Sequence, residues 1–290
     1  MLRWSVEFVY QTRHPPGLAR FVESIWYARG RIGYRRERIA PTGSTVAVVV
    51  LGDPIRLVVG DGPAFVAHEG FLLGPHDRPV INEPLGETHC FGIVTTAVGC
   101  GALFGLRPAT VRGKVVDLLK VWPAAETLRR ALLDDGTLDL VEKALMPGVA
   151  DPSLLRCEAA VHALEADPVR PIGGLAAELG VSHGHLDREF TATVGLSPRL
   201  VSRILRLRAL LAQVDVYSPV DWPALAAAYG WFDQSHFIRD FRRHTGVTPS
   251  AYVTAQRAAY TPEQAAPGFV PEMAADVKSV QDTDRPGRQR

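Results

Sequence analysis

Between Gln234 and Arg243 the chain reads QSHFIRDFRR. At helical spacing Phe237 and Phe241 fall on one inner stripe, which turns Gln234, Ser235, His236 and Arg239 outward. The chemistry these side chains offer is recognition, not bond-making. In a DNA major groove a Gln amide matches adenine and an Arg fork matches guanine. Arg242 and Arg243 suit phosphate oxygens, with His244 a weaker partner. A run such as RDFRRH is by itself more often only a solvated helix face. What raises it above that reading is that its surroundings occur twice.

IGGLAAELG (Ile172 to Gly180) and WPALAAAYG (Trp222 to Gly230) align at a constant offset of 50 residues. In each, a short helix ends at a Gly suited to a left-handed cap. A second helix follows, N-capped by Ser182 in one copy and Asp233 in the other. Its inner stripe is Leu186 and Phe190, or Phe237 and Phe241. GLSP and GVTP close the units, now at an offset of 51. Helix, tight turn and helix with an apolar inner face make a helix-turn-helix, whose outer face fits a major groove. The same geometry also occurs as plain packing in all-α proteins. Two such units joined by one helical stretch, SPRLVSRILRLRALLAQV (Ser197 to Val214), favour the groove reading. A rigid connector would match grooves about 34 Å apart on one face of the duplex.

The first unit is the poorer reader. Its exposed positions are Ser182, His183, Gly184, Asp187 and Arg188. Gly184 has no side chain, and Asp187 either accepts from a cytosine amino group or is repelled by phosphates. On the connector, Arg203 is expected at the DNA, while part of the Arg199, Arg203, Arg206 and Arg208 cluster pairs with acids on neighbouring helices. From Pro152 to Arg257 there are 11 Arg, no Lys and 10 acidic residues, so non-specific affinity for a polyanion is expected to be modest.

The stretch from Pro152 to Ala255 resembles the DNA-binding domain of AraC/XylS-type transcriptional regulators. YGWFDQSHFIRDFRRHTGVTPSAY, with Gly-aromatic, a polar turn, Phe-x3-Phe, Gly-x-Thr-Pro and Tyr, carries most of the resemblance. It implies a seven-helix domain with two recognition helices, double-stranded DNA as partner, and contacts to RNA polymerase near a promoter. The position of Arg188 is one often used for base contact in that family. HPPGLARFVESIWYARG, RIAPTGSTVAVVVLGDP and LLGPHDRPV look like the sensor domains of a subgroup of these regulators, although PTGST departs from the usual Pro-Asp-Gly phrase. That likeness implies a domain that senses a small-molecule effector, forms a homodimer, or both.

The expected fold is α+β. A small β-barrel or cupin-like domain spans residues 1–105, the short β-type runs STVAVVVLG, IRLVVG, FVAHEGFLLG and HCFGIVTTAV being separated by Gly and Pro turns. An early helix is expected over PGLARFVESIWYA. Residues 106–151 read as a helical connector, 152–257 as the DNA-binding domain, and 258–290 as a polar, Pro-containing disordered tail. The 290 residues carry a net charge of +1, 47% hydrophobic and 22% charged residues, and three cysteines. With no CxxC pair, no apolar signal segment and a longest apolar run of only TVAVVVLG, a cytoplasmic chain with reduced thiols and no membrane segment is expected.

Two other classes stand beside the regulator. One is a metal- or cofactor-binding enzyme with a regulatory DNA-binding tail. Against it, His14, His68, His76 and His89 lack HxH or HxxxH spacing, there is no GxSxG, and Cys90 lies in an apolar run where an inert buried thiol is the ordinary outcome. No cofactor, metal or catalytic residue is therefore expected. Trp26, Tyr27 and Tyr34 could line a ligand pocket, but such residues are more often core or rim. The other class is an interaction module that has lost DNA binding, kept open by Gly184, Asp187 and the sparse positive charge.

Overall fold

The computed structural model describes residues 8–262 and 264–273. Among them the N-terminal half supplies ten strands: β1 (Val9–Arg13), β2 (Val22–Gly30), β3 (Arg36–Ile39), β4 (Val46–Val50), β5 (Ile55–Val59), β6 (Phe65–Ala67), β7 (Gly70–Leu73), β8 (Val80–Pro84), β9 (Thr88–Thr95) and β10 (Val115–Asp117). An eleventh, β11 (Phe269–Glu272), arrives from the other end of the chain. They form two antiparallel sheets, ordered β1-β2-β9-β4-β7-β10 and β11-β3-β8-β5-β6. Among the described residues no ladder joins the two sheets, so the expected β-rich domain is built as two packed antiparallel sheets and is not a closed barrel.

The central strands are buried on both faces, which is why they read as unbroken apolar runs. In β4, Ala47 and Val49 face a core shared with helices, while Val48 and Val50 face the space between the sheets. The helical side of that core is built by α1 (Gly99–Phe104), α2 (Pro108–Val111), α3 (Leu118–Val121), α4 (Ala124–Asp134) and α5 (Leu138–Ala144). Leu128, Leu132 and Val141 pack there against Ile25, Phe91 and Ile93 of the six-stranded sheet. Residues 106–151, expected as a helical connector, pack on the sheet along their length. They contribute an edge strand, β10, and the helical layer that covers the sheet.

The early helix is also corrected. Only Pro16–Leu18 make a 3-10 turn, and Val22–Gly30 is a strand paired with β9. Val22, Ile25 and Ala28 repeat every three residues, as a helix face would. A bulge between Val22 and Ser24 shifts the phase, and Ile25 and Ala28 then point to different cores. Gly92 answers Trp26 from the neighbouring strand: a Cβ there would stand 2.0 Å from the indole ring.

Seven helices follow among the described residues: α6 (Pro152–Ala166), α7 (Ile172–Glu178), α8 (His183–Val194), α9 (Pro198–Leu211), α10 (Trp222–Ala228), α11 (Gln234–Thr245) and α12 (Pro249–Ala259). The expected tail then departs from expectation. β11 pairs antiparallel with β3, Val270 opposite Arg38, and Val270 is buried in the core of the second helical unit. Glu272 forms ion pairs with Arg36 and Arg38, and Gln256 Nε2 donates to the Ala266 carbonyl at 2.8 Å. These contacts order a segment whose composition alone suggests none, and Pro271 is tolerated because β11 is an edge strand. Residues 274–290 of the expected tail lie outside the described residues.

Candidate nucleic-acid interface

Each helical unit is set by local chemistry. In the first, Gly180 takes φ +70° at the turn, and Ser182 Oγ accepts from the His185 amide at 3.2 Å to start α8. In the second, Gly230 takes φ +79°, and Asp233 Oδ1 accepts from the Ser235 amide at 2.8 Å to start α11. Both second helices end on a left-handed Gly, Gly195 and Gly246. Ser197 and Thr248 then cap α9 and α12, each with Pro in the first turn.

The inner faces orient the outer ones. Leu186, Phe190 and Val194 of α8 are fully buried against α6 and α9. In α11, Phe237 and Phe241 sit in an aromatic cluster with Trp222, Trp231 and Tyr252, at mostly edge-to-face angles and centroid distances of 5.5–6.0 Å. Such pairs add to burial and fix the helix rotation.

One polar residue lies among these aromatics, and sequence reasoning overlooked it. Asp240 is 2% exposed, on the turn between Phe237 and Phe241. Arg203 donates to its carboxylate, Arg206 Nη2 donates at 3.3 Å, and Trp231 Nε1 donates at 3.2 Å. His236 Nε2 lies 3.2 Å away, and the Arg206 guanidinium stacks 3.8 Å over the Trp231 ring. Burial pushes the Asp240 carboxyl up, but the hydrogen bonds and charges around it outweigh that and hold it below the ordinary carboxylate value. The signal was an acid beside the apolar stripe, with arginines three apart on the connector.

This settles where the expected contact residues stand. Arg203 is paired with Asp240 and so links α9 to α11. Arg243 reaches the N-terminal half, its Nη2 2.5 Å and its Nε 3.2 Å from Asp77 Oδ2. His244 is buried, and its Nδ1–H donates to the Asp77 carbonyl at 2.8 Å. The weaker phosphate candidate is thus an interdomain contact. His236 is half-buried beside Asp240. Gln234, Ser235, Arg239 and Arg242 are exposed on α11, and the two arginines have no acidic partner among the described residues. On α8, Ser182, His183 and Arg188 are exposed and Asp187 is half-buried. Gly184 leaves room for Arg188, whose Nη1 stands 3.7 Å from where its Cβ would be.

Arg78, Arg203, His236, Arg239, Asp240, Arg242 and Arg243 line a shallow cleft of about 470 Å³ on the α11 side. A second cleft of about 430 Å³ lies between the two halves of the molecule, with His14, Arg20, Glu158, His162 and Arg208 on its walls. There Arg208 Nη1 donates to the Thr42 carbonyl at 3.1 Å, and Arg20 pairs with Glu158 at 3.1 Å. Trp26, Tyr27 and Tyr34 line neither cleft. Cys90 is buried, and burial pushes its thiol up to about 12. Among the described residues no group of three His, Cys, Asp or Glu side chains is placed to hold a metal, and no helix is long and apolar enough to cross a membrane.

Residues 175–255 match the family model described as a helix-turn-helix domain. Residues 11–117 match one described as a domain of unknown function, DUF6597. No curated protein matches the chain. Among solved structures, ToxT from Vibrio cholerae is 12% identical, with 84% of this chain and 98% of that chain covered and a TM-score of 0.46. Unsaturated fatty acid-bound ToxT from the same organism gives 12%, 86%, 95% and 0.44. The AraC-like transcriptional activator CuxR gives 14% identity, 71% and 87% coverage, and a TM-score of 0.23.

Proposed function

We propose that the chain, whose residues 175–255 match a helix-turn-helix domain, is a DNA-binding transcription regulator of the AraC type that reads two successive major-groove segments, one with α8 and one with α11. The observation that carries this reading is the doubled unit itself. Two second helices, capped and closed alike, turn their polar faces outward from cores that α9 joins. In α11, Gln234 and Arg239 read base edges, while Ser235 and Arg242 hold the backbone. In α8, Arg188 reads and Ser182 and His183 position, with Asp187 limiting which base is accepted. The second unit is the stronger reader, because its face carries free arginines and α8 offers one. Arg203 supports α11 from behind. Arg239→Ala is expected to lose about 1–3 kcal/mol at one base position, measured by fluorescence anisotropy on duplexes varied one base pair at a time. An equal loss on every sequence would mean that Arg239 holds phosphate only.

Control through the N-terminal half completes the reading. A small polar molecule in the cleft of His14, Arg20 and Arg208 would touch both halves and favour one arrangement of them. The Asp77–Arg243 pair is the opposing device: while it holds, Arg243 is unavailable to phosphate. Asp77→Asn is expected to tighten DNA binding and to steepen its salt dependence by up to about 0.9 in the log–log slope, the value of one phosphate contact. An unchanged slope would show that the pair does not compete with DNA. RNA polymerase is the further partner of this reading, and the N-terminal half could serve it by pairing with a second copy of the chain.

A further inference from the structure

We propose that Arg78, which belongs to the N-terminal half, is part of the DNA interface. With Arg242 it seats a backbone phosphate beside the base edge that Arg239 reads, in the groove segment taken by α11. The inference rests on the DNA-reading proposal and extends the interface to a domain whose family model assigns it no function.

The loop that carries Arg78 joins β7 to β8 and is fixed on every side but one. His76 is buried, its Nδ1 2.9 Å from the Gly74 carbonyl. Asp77 is bound through its side chain to Arg243 and through its carbonyl to His244. The Pro79 carbonyl accepts from the Gly60 amide at 2.9 Å, and Gly60 lies so close that a Cβ there would stand 3.1 Å from Arg78 Cβ. Further along the joint, a Cβ on Gly246 would meet Arg38 at 2.7 Å and Pro79 at 3.3 Å. The loop is thus pressed on the C-terminal end of α11. Within His76–Pro79, Arg78 alone is exposed, and it has no acidic partner among the described residues.

The charge in the cleft points to the occupant. Of its five arginines, Arg203 and Arg243 are neutralised by Asp240 and Asp77. Arg78, Arg239 and Arg242 are not. Three guanidinium groups facing one cleft repel each other unless an anion sits among them, and a phosphate matches their planar forks. Arg239 and Arg242 are three apart and share a helix face, and Gln234 and Ser235 open the same helix. A phosphate held there would be continuous with a groove read by α11. The sensor half and the recognition helix would then grip one phosphate together, so a shift between them would change affinity directly.

The test compares wild type, Arg78→Gln and Arg78→Glu on a selected target duplex and a scrambled duplex across a salt series. Arg78→Gln is expected to weaken both several-fold, lower the log–log slope by about 0.9, and leave their ratio unchanged. Arg78→Glu is expected to weaken both further. All three proteins should melt together, because Arg78 is exposed. A wild-type affinity and slope in Arg78→Gln would overturn the assignment. So would loss of inorganic phosphate binding with unchanged DNA binding, which would give the seat to free phosphate. A wild type that binds no duplex would overturn both this assignment and the reading beneath it, and the parallel wild-type titration separates that case from the others.

Discussion

Asp240→Ala is expected to destabilise the second helix-turn-helix unit by about 3–5 kcal/mol, the cost of leaving buried charge uncompensated. The carboxylate is almost wholly enclosed and receives Arg203, Arg206 and Trp231. Its removal strands two guanidinium groups that are 34% and 14% exposed, with only the Trp231 ring left to Arg206. Asp240→Asn, which keeps an acceptor for Trp231, should lose less. The pH dependence has a definite sign. Because the folded carboxyl titrates below its unfolded value, its contribution is complete above about pH 4 and disappears as the pH falls through the folded value. Thermal unfolding from pH 7 down to pH 3 checks this: the difference in Tm between wild type and Asp240→Ala should shrink on acidification. Equal melting of the two proteins at neutral pH would remove Asp240 from the account.

Phe241→Ala is expected to have an effect of similar size for an unrelated reason. Phe241 has no exposed surface and touches Trp222, Phe237 and Tyr252. Truncating a buried Phe costs about 3–5 kcal/mol in lost transfer energy and residual cavity. A domain's whole stability is only about 5–15 kcal/mol, so the second unit should melt far earlier and lose the orientation of Gln234 and Arg239. Differential scanning calorimetry should show an early transition, with the sheet transition nearer to wild type. A single unshifted transition would mean that the aromatic cluster does not orient α11. Phe241→Leu, which fills most of the space, should recover much of the loss.

What could be read in the residues depended on how far apart the cooperating groups stand. The helix-turn-helix units were legible because caps, turn glycines and inner stripes lie within a dozen residues and occur twice. β4 was legible because a strand buried on both faces leaves an unbroken apolar run. β2 was not, since a bulge and two different cores give its apolar residues a spacing of three. β11 was invisible because four residues in a polar, Pro-containing stretch become a strand only when β3 supplies the partner. On the recognition face, exposure of Gln234, Ser235 and Arg239 followed from the stripe opposite them. The fate of Arg203 depended on an acid on another helix. That of Arg243 depended on Asp77, 166 residues away, and no local pattern reports such a pair. The same separation hid Arg78, which sequence reasoning passed over as part of a turn.

If α8 and α11 read DNA as proposed, they occupy two successive major-groove segments of one duplex. The most direct measurement is hydroxyl-radical footprinting and base-interference mapping on DNA selected by the full chain from a random pool. Two protected patches are expected on one face of the duplex, about 34 Å apart, with the stronger base dependence in the patch assigned to α11 and lost in Arg239→Ala. A single patch that Arg239→Ala leaves intact, or uniform protection without base dependence, would contradict this arrangement.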